Sequence, residues 1–101
     1  MVIYEITAVV ESNVVQQYEQ YMLTRHIPDL LATGYFAGAS FARSEPGRYQ
    51  VRYEAATREA LDCYLSEHTP RLRDDFAAHF PTGVQLTREV WEAVQVWPER
   101  R

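Results

Sequence analysis

The sequence predicts a single α+β domain of four strands and two broken helices. Three observations support this fold class: strand-like segments at both ends and in the middle of the chain, helical spacing between them, and an ordinary globular composition. Hydrophobic residues make up 47% of the 101 residues and charged residues 24%, which favours one folded domain over intrinsic disorder. We expect residues 1–97 to form this domain and residues 98–101 to be a C-terminal tail.

The first strand and the first helix follow from the pattern of apolar residues. Residues 2–10 are rich in β-branched and aromatic side chains, which is typical of a strand. Helical spacing of apolar residues then runs over residues 14–26. Because Pro28 disfavours the helical conformation at the residue before it, we expect the helix to end or break near His26.

The remaining strands form a hairpin and a C-terminal segment. Residues 35–43 and 49–55 are predicted strands, and the intervening Pro46 and Gly47 suit the central positions of a type II turn. Residues 84–97 most resemble a last strand, although their apolar spacing also suits a helix.

The second helix has a recognisable start and an internal break. Thr57 is an N-cap residue, and the apolar stripe after it extends to His68. Thr69 is then expected to cap a further helical segment, with Pro70 in its first turn. The resulting order, βαββαβ, is the split βαβ or ferredoxin-like arrangement, a four-stranded antiparallel sheet with both helices on one face.

Both faces of the predicted sheet carry apolar side chains, so both must be covered. On the first strand Ile3 and Val9 lie on the face opposite to Tyr4 and Ile6, and the last strand adds Trp91 and Trp97. A second copy of the sheet is the economical cover. We therefore expect a homodimer, closed as a dimeric α+β barrel, with Glu5 and Arg52 forming an ion pair near its interface. The polar residues expected on this face are Glu5, Thr7, Gln50, Arg52, Glu54 and Arg88.

Charge and rare residue types exclude several classes of function. The formal net charge is −4, and the ten basic residues are arginines spread along the chain, so we expect no nucleic-acid partner. The absence of lysine excludes Schiff-base chemistry, and the single cysteine, Cys63, permits no intrachain disulfide. The first residues lack the features of a signal peptide and no long apolar run follows. These features predict a cytoplasmic protein with no membrane partner.

The three histidines share a local pattern, because His26, His68 and His79 are each followed two positions later by a proline. A structural interpretation is that they end helices, where the helix dipole favours a charged imidazole. A functional interpretation is that His26 and His68 face one pocket of about 300 Å³ or more, as general base and acid. Their spacing matches no recognised metal site, so we expect no metal and no other cofactor.

Tyrosine is the other residue type that suggests a site. Seven tyrosines bring seven hydroxyl groups that need partners if they are buried. Ordinary core packing accounts for most of them. The alternative is an aromatic pocket with a few polar groups in its apolar wall, which suits a flat, partly aromatic ligand. The candidate ligand-binding residues are Tyr4, Tyr18, Tyr53, Tyr64 and Trp91.

One stretch, "ALDCYLSEHTPRLR" at residues 60–73, resembles a known family. It is similar to the A-L-D-x-Y-L-x-E-H-x-P-x-L-R run of a short bacterial domain of unknown function among the dimeric α+β barrel proteins. The resemblance covers about residues 2–94 and implies the same fold. It assigns no reaction, since related barrels range from cofactor-free monooxygenases to isomerases and cyclases. Relatives have R-F-G-G where this chain has "HFPTG", so His79 is not expected to belong to a shared site.

These features lead to one functional hypothesis and one alternative. The hypothesis is a homodimer that binds a small, partly aromatic ligand between sheet and helices, with cofactor-free acid–base chemistry of monooxygenase, isomerase or cyclase type. The alternative is a non-catalytic assembly or regulatory module, in which His26 and His68 only cap helices.

Overall fold

A four-stranded antiparallel sheet forms the centre of the molecule in the computed structural model, which describes residues 1–98. The strands lie in the order β2-β3-β1-β4. Their bounds are β1 Val2–Val10, β2 Gly38–Glu45, β3 Arg48–Ala55 and β4 Val84–Glu92. The predicted βαββαβ order and the ferredoxin-like α+β fold are confirmed.

The β2–β3 hairpin turns where the sequence predicted. Gly47 has a φ of +84°, a conformation that an L side chain rarely adopts, and a Cβ there would lie 2.7 Å from the Val10 carbonyl oxygen. The Val10 amide donates to the Gly47 carbonyl at 2.7 Å, so glycine allows the hairpin to close on β1. β2 begins at Gly38 rather than at residue 35, and Phe36 before it packs into the core.

β1 lies between β3 and β4 and determines which residues share a face. Glu5 is opposite Arg52, whose Nε lies 3.5 Å from Glu5 Oε2, so the predicted pair is confirmed. Arg88 is opposite Ile6, which lines the interior on the helix side. The expectation that Arg88 shares a face with Glu5 is therefore wrong, because side chains alternate along a strand.

The last strand is shorter than predicted. β4 ends at Glu92 rather than at Trp97, opposite Val2, the first residue of β1. The Ala93 amide still donates to the Met1 carbonyl at 2.9 Å. Trp97 lies outside the strand and is 78% exposed. Of the predicted tail, residues 99–101 lie outside the described residues.

The first helical unit is continuous where the sequence predicted an end. It comprises α1 (Val15–Tyr21), a five-residue π-helical segment (Met22–His26) and α2 (Ile27–Ala32), and a 3₁₀ turn at Ser12–Val14 precedes it. Ile27, with φ −63° and ψ −47°, is helical despite the proline that follows. The expected break near His26 is therefore wrong.

The π-helical segment explains how the helix accommodates Pro28. A proline has no N–H for the carbonyl four residues earlier, that of Thr24, and its ring crowds that carbonyl. The helix widens instead, so that the Ile27 amide donates to the Met22 carbonyl, five residues back. The Thr24 hydroxyl donates to the Gln20 carbonyl at 2.6 Å.

The second helical unit begins as predicted. It comprises α3 (Arg58–Glu67) and α4 (Thr69–His79), and the Thr57 side chain accepts the Ala60 amide proton at 3.1 Å. His68 follows the end of α3 and its amide donates to the Tyr64 carbonyl at 2.9 Å. Thr69 is the first residue of α4 rather than its N-cap.

The core lies between the sheet and these helices. Sixteen hydrophobic residues are buried there, and seven of them are tyrosines or phenylalanines. The aromatic members are Tyr4, Tyr18, Tyr21, Phe36, Tyr49, Tyr53 and Tyr64, the last also packed against β1. No helix of residues 1–98 combines the length and the apolar character needed to cross a bilayer.

Candidate functional site

A cavity lies between the sheet and the helices. Its volume is about 40 Å³, which is enough for about two or three water molecules. The sheet side is formed by Tyr4, Ile6, Val51, Tyr53, Leu86 and Arg88. The helical side is formed by Tyr18, Met22, His26, Leu30, Tyr64, Thr69, Leu72, Arg73 and Phe76.

The cavity is smaller than the pocket of about 300 Å³ that the functional interpretation requires. Aromatic rings occupy the space around it: Tyr18 and Tyr49 have ring centroids 5.0 Å apart, and those of Phe36 and Tyr64 are 4.8 Å apart. A ligand larger than a few atoms must therefore displace side chains at the mouth of the cavity.

His26 reaches the cavity from the last residue of the π-helical segment. Its ring stacks on Tyr21 with centroids 5.6 Å apart, and it meets Phe76 edge-on at 5.6 Å. Burial lowers the pKa of the imidazole from 6.5 to about 4, and nearby carboxylates oppose that change only in part. His26 is therefore neutral at pH 7, with a free lone pair on one ring nitrogen.

A hydrogen-bonded group beside the cavity orients His26. The Tyr21 hydroxyl donates to Asp75 Oδ2 at 2.7 Å, and Arg25 donates to the two oxygens of the same carboxylate at 3.0 and 2.7 Å. His26 Nδ1 lies 3.5 Å from the Tyr21 oxygen. Because this hydroxyl gives its proton to Asp75, its oxygen can only accept one, which favours a proton on Nδ1. The basic nitrogen is then Nε2.

Three buried hydroxyl groups also border the cavity. Those of Tyr18, Tyr53 and Thr69 have no hydrogen-bond partner among residues 1–98. Burial raises the pKa of both tyrosines above 10.0, so both stay protonated at neutral pH. An unsatisfied buried hydroxyl lowers the stability of the fold by about 1–3 kcal/mol. Because the Tyr18 and Tyr53 hydroxyls have no partner, both are free to bond a ligand.

The cavity collects most of the candidate residues from the sequence. It brings together His26 and the four tyrosines Tyr4, Tyr18, Tyr53 and Tyr64. The elements that supply them are α1, the π-helical segment, α3 and the two central strands.

His68 and Trp91 are not among the residues that line the cavity. His68 lies between the ends of α3 and α4, with Nε2 3.8 Å from Glu67 Oε2 and its ring centroid 5.9 Å from that of Tyr35. Trp91 is opposite Ile3 on the outer face of the sheet and is 48% exposed. The structure therefore does not place His26 and His68 in a common cavity.

His79 is the third histidine and belongs to the end of α4. Its Nδ1 lies 2.9 Å from the Asp75 carbonyl oxygen, which requires a proton on that nitrogen. Its ring packs on Tyr21, with centroids 4.6 Å apart. His79 therefore supports the group around His26 from outside the cavity.

Two arginines line the cavity that the sequence did not single out as site residues. Arg88 was assigned to the outer face, yet Leu86 and Val90 flank it at two-residue spacing and predict the inner face. Arg73 follows Thr69 by four residues and therefore lies on the same side of α4. Periodicity alone could have identified both residues as facing inward.

Metal ligands are not grouped in the part of the chain that the structure describes. Within residues 1–98, no set of three or more His, Cys, Asp or Glu side chains is arranged to hold a metal ion.

Solved structures with the same fold come from several sources. SnoaB from Streptomyces nogalater, described as a cofactor-independent oxygenase, matches with a TM-score of 0.74 and 13% identity over 97% of each chain. A dimeric ferredoxin-like protein from an uncultured marine organism matches with a TM-score of 0.71 and 7% identity, over 98% of this chain and 100% of that one. A structure described as an antibiotic biosynthesis monooxygenase has a TM-score of 0.57 and 17% identity, over 94% of this chain and 100% of that one. At such identities the likeness shows the fold alone.

Sequence comparison gives the family. No curated protein matches the chain significantly. The model of a family described as a domain of unknown function, DUF4286, matches residues 1–94, which confirms the resemblance seen in the sequence. The chain belongs to the DUF4286 family and has the ferredoxin-like fold of the dimeric α+β barrel proteins.

Proposed function

We propose that the protein is a homodimer that binds a small, partly aromatic ligand in the cavity between its sheet and helices. The observation that carries the proposal is the meeting in one cavity of the neutral imidazole of His26 with the unpartnered hydroxyls of Tyr18 and Tyr53. Apolar walls with a few convergent polar groups are typical of small-molecule sites.

His26 is the general base of the proposed site. Its neutral form predominates at pH 7 and accepts a proton at Nε2 from an acidic group of the ligand. A pKa near 4 makes a free imidazole a weak base, so the chemistry requires that ligand binding raise this pKa. The likeness in fold to a protein described as a cofactor-independent oxygenase supports cofactor-free acid–base chemistry by analogy.

Ligand entry requires the cavity to widen. A cavity of about 150 Å³ holds one benzene ring, whereas this one has about 40 Å³. Arg73 and Arg88 at its mouth are exposed, and Phe76 is half-buried. Flexible exposed side chains move at little cost, so the proposed ligand has one ring rather than several fused rings.

The second candidate is a non-catalytic assembly or regulatory module. The small cavity favours it, as does His68, which stands at the end of α3 away from the cavity. In this case His26 and His68 only cap helices, and the outer face of the sheet makes the contacts of the assembly.

Binding of monocyclic aromatic compounds separates the two candidates. We expect NMR titration with a panel of neutral and charged single-ring compounds to shift the resonances of Tyr18, His26 and Tyr53. His26→Gln should weaken that binding, and the matched variant His68→Gln should leave it unchanged. If no compound of the panel shifts the cavity resonances at millimolar concentration, the assembly module is the better account.

A further inference from the structure

The mouth of the cavity carries two positive charges with no counter-ion. Arg73 and Arg88 both line the cavity, and neither forms an ion pair with a carboxylate within residues 1–98. By contrast, Arg25, Arg43 and Arg52 each pair with a carboxylate at 3.5 Å or less. Acidic residues outnumber basic ones by 14 to 10 in the chain, so two unpaired guanidinium groups at one opening are a local reversal of the overall charge.

The two guanidinium groups act on one shared interior residue, Tyr64. The charges of Arg73 and Arg88 both oppose the rise that burial causes in the pKa of Tyr64, which stands at about 12. Arg88 also favours the neutral form of His26. Since Arg73 comes from α4 and Arg88 from β4, the positive charges converge on the opening from the helix side and from the sheet side.

We propose that the ligand of this site is a monocyclic aromatic carboxylate, held at its carboxylate by Arg73 and Arg88. The inference rests on the proposed ligand-binding function and names its substrate class. Guanidinium groups suit carboxylates because their N–H donors match the two oxygens. The ring then lies between the apolar walls, and the buried hydroxyls of Tyr18 and Tyr53 are at hand for a polar ring substituent.

An anionic ligand also makes His26 a stronger base. A negative charge within a few ångströms favours the protonated imidazole and raises its pKa. A neutral ligand excludes solvent from the ring without supplying that charge, so it leaves the pKa low. The pKa of His26 therefore reports the charge of the ligand.

The test compares an acid with its neutral ester on the full chain. Benzoate and methyl benzoate have the same ring, and only benzoate is charged at pH 7. We expect calorimetric or NMR titration to give at least tenfold tighter binding of benzoate, and Arg73→Gln and Arg88→Gln each to weaken benzoate binding about tenfold. Arg71→Gln, on the same helix but outside the cavity, is the matched control and should have no effect. Benzoate should also raise the pKa of His26.

The possible outcomes separate this inference from the proposed function. If methyl benzoate binds as tightly as benzoate, with no effect of the arginine variants, the carboxylate assignment is wrong and the cavity remains a ligand site. If neither benzoate nor methyl benzoate shifts the resonances of Tyr18, His26 and Tyr53, the carboxylate assignment is overturned, and the proposed function is overturned with it only when no compound of the single-ring panel shifts them. A circular dichroism spectrum of each variant establishes that a loss of binding does not come from unfolding.

Discussion

At the scale of single residues, His26 couples the stability of the fold to pH. Its pKa falls from the ordinary value of 6.5 to about 4 on folding, because burial disfavours the charged ring. Below pH 6.5 the unfolded chain therefore binds a proton that the folded chain does not. Stability is lost as the pH falls from about 6.5 towards 4, and above that range the residue has no such effect.

We expect this residue to lower the free energy of unfolding by about 2 kcal/mol between pH 7 and pH 4, after allowance for its partial exposure. Urea unfolding of the wild type and of His26→Gln at both pH values measures the effect. Protonation of carboxylates such as Asp75, whose pKa is lowered by its hydrogen bond from Tyr21, also lowers the stability of the fold in acid. This loss is the same in the wild type and in His26→Gln. Equal losses in the two proteins would show that His26 is not buried as a neutral group.

Tyr53 and Tyr49 are a matched pair for the role of buried hydroxyls. Both side chains are buried, but the Tyr49 hydroxyl donates to Glu19 Oε1 at 3.0 Å, whereas that of Tyr53 has no partner among residues 1–98. We expect Tyr49→Phe to cost about 1–2 kcal/mol and Tyr53→Phe to cost nothing or to stabilise the fold. Thermal and urea unfolding measure both. A similar loss in the two variants would mean that Tyr53 is satisfied within the protein and is not held for a ligand.

At the scale of elements, local rules predicted most of the fold because they describe short-range effects. The Thr57 cap and the Gly47 turn each depend on a few neighbouring residues, and the structure confirms both. The effect of Pro28 was misjudged, since the rule for the residue before proline considers the local chain alone. Ile27 stays helical because the widened turn removes the clash and the helix packs on the sheet, with Leu30 almost fully buried.

The same contrast holds for the site. Tyrosine spacing predicted four of the cavity residues, since residues that alternate on a strand or recur at helical spacing share a face. His68 follows the stripe of α3 equally well, yet it stands where the chain turns into α4, and stripe periodicity no longer applies there. The inward position of Arg88 was within reach of the strand pattern, since Leu86 and Val90 flank it at two-residue spacing. The Arg88 side chain lines the cavity and is still exposed to solvent.

At the scale of the whole molecule, the two faces of the sheet have different roles. The inner face carries the core and the cavity, whereas the outer face presents apolar side chains around the Glu5–Arg52 pair. Val9 is 52% and Trp91 48% exposed there, although large apolar groups gain free energy from burial. The proposed homodimer buries this face against a second copy of the same sheet.

The dimer can be tested with one substitution on each surface of the protein. We expect the wild type to sediment with twice the mass of the chain, and Trp91→Glu to sediment as a folded monomer, because a charge replaces apolar area in the interface. Leu23→Glu is the control, since Leu23 is 60% exposed on the helical side, and it should leave the dimer intact. Sedimentation equilibrium measures the mass, and circular dichroism shows that the variants are folded. A monomeric wild type would contradict the proposed dimer. If Leu23→Glu dissociates the dimer and Trp91→Glu does not, the interface does not lie on the outer sheet face.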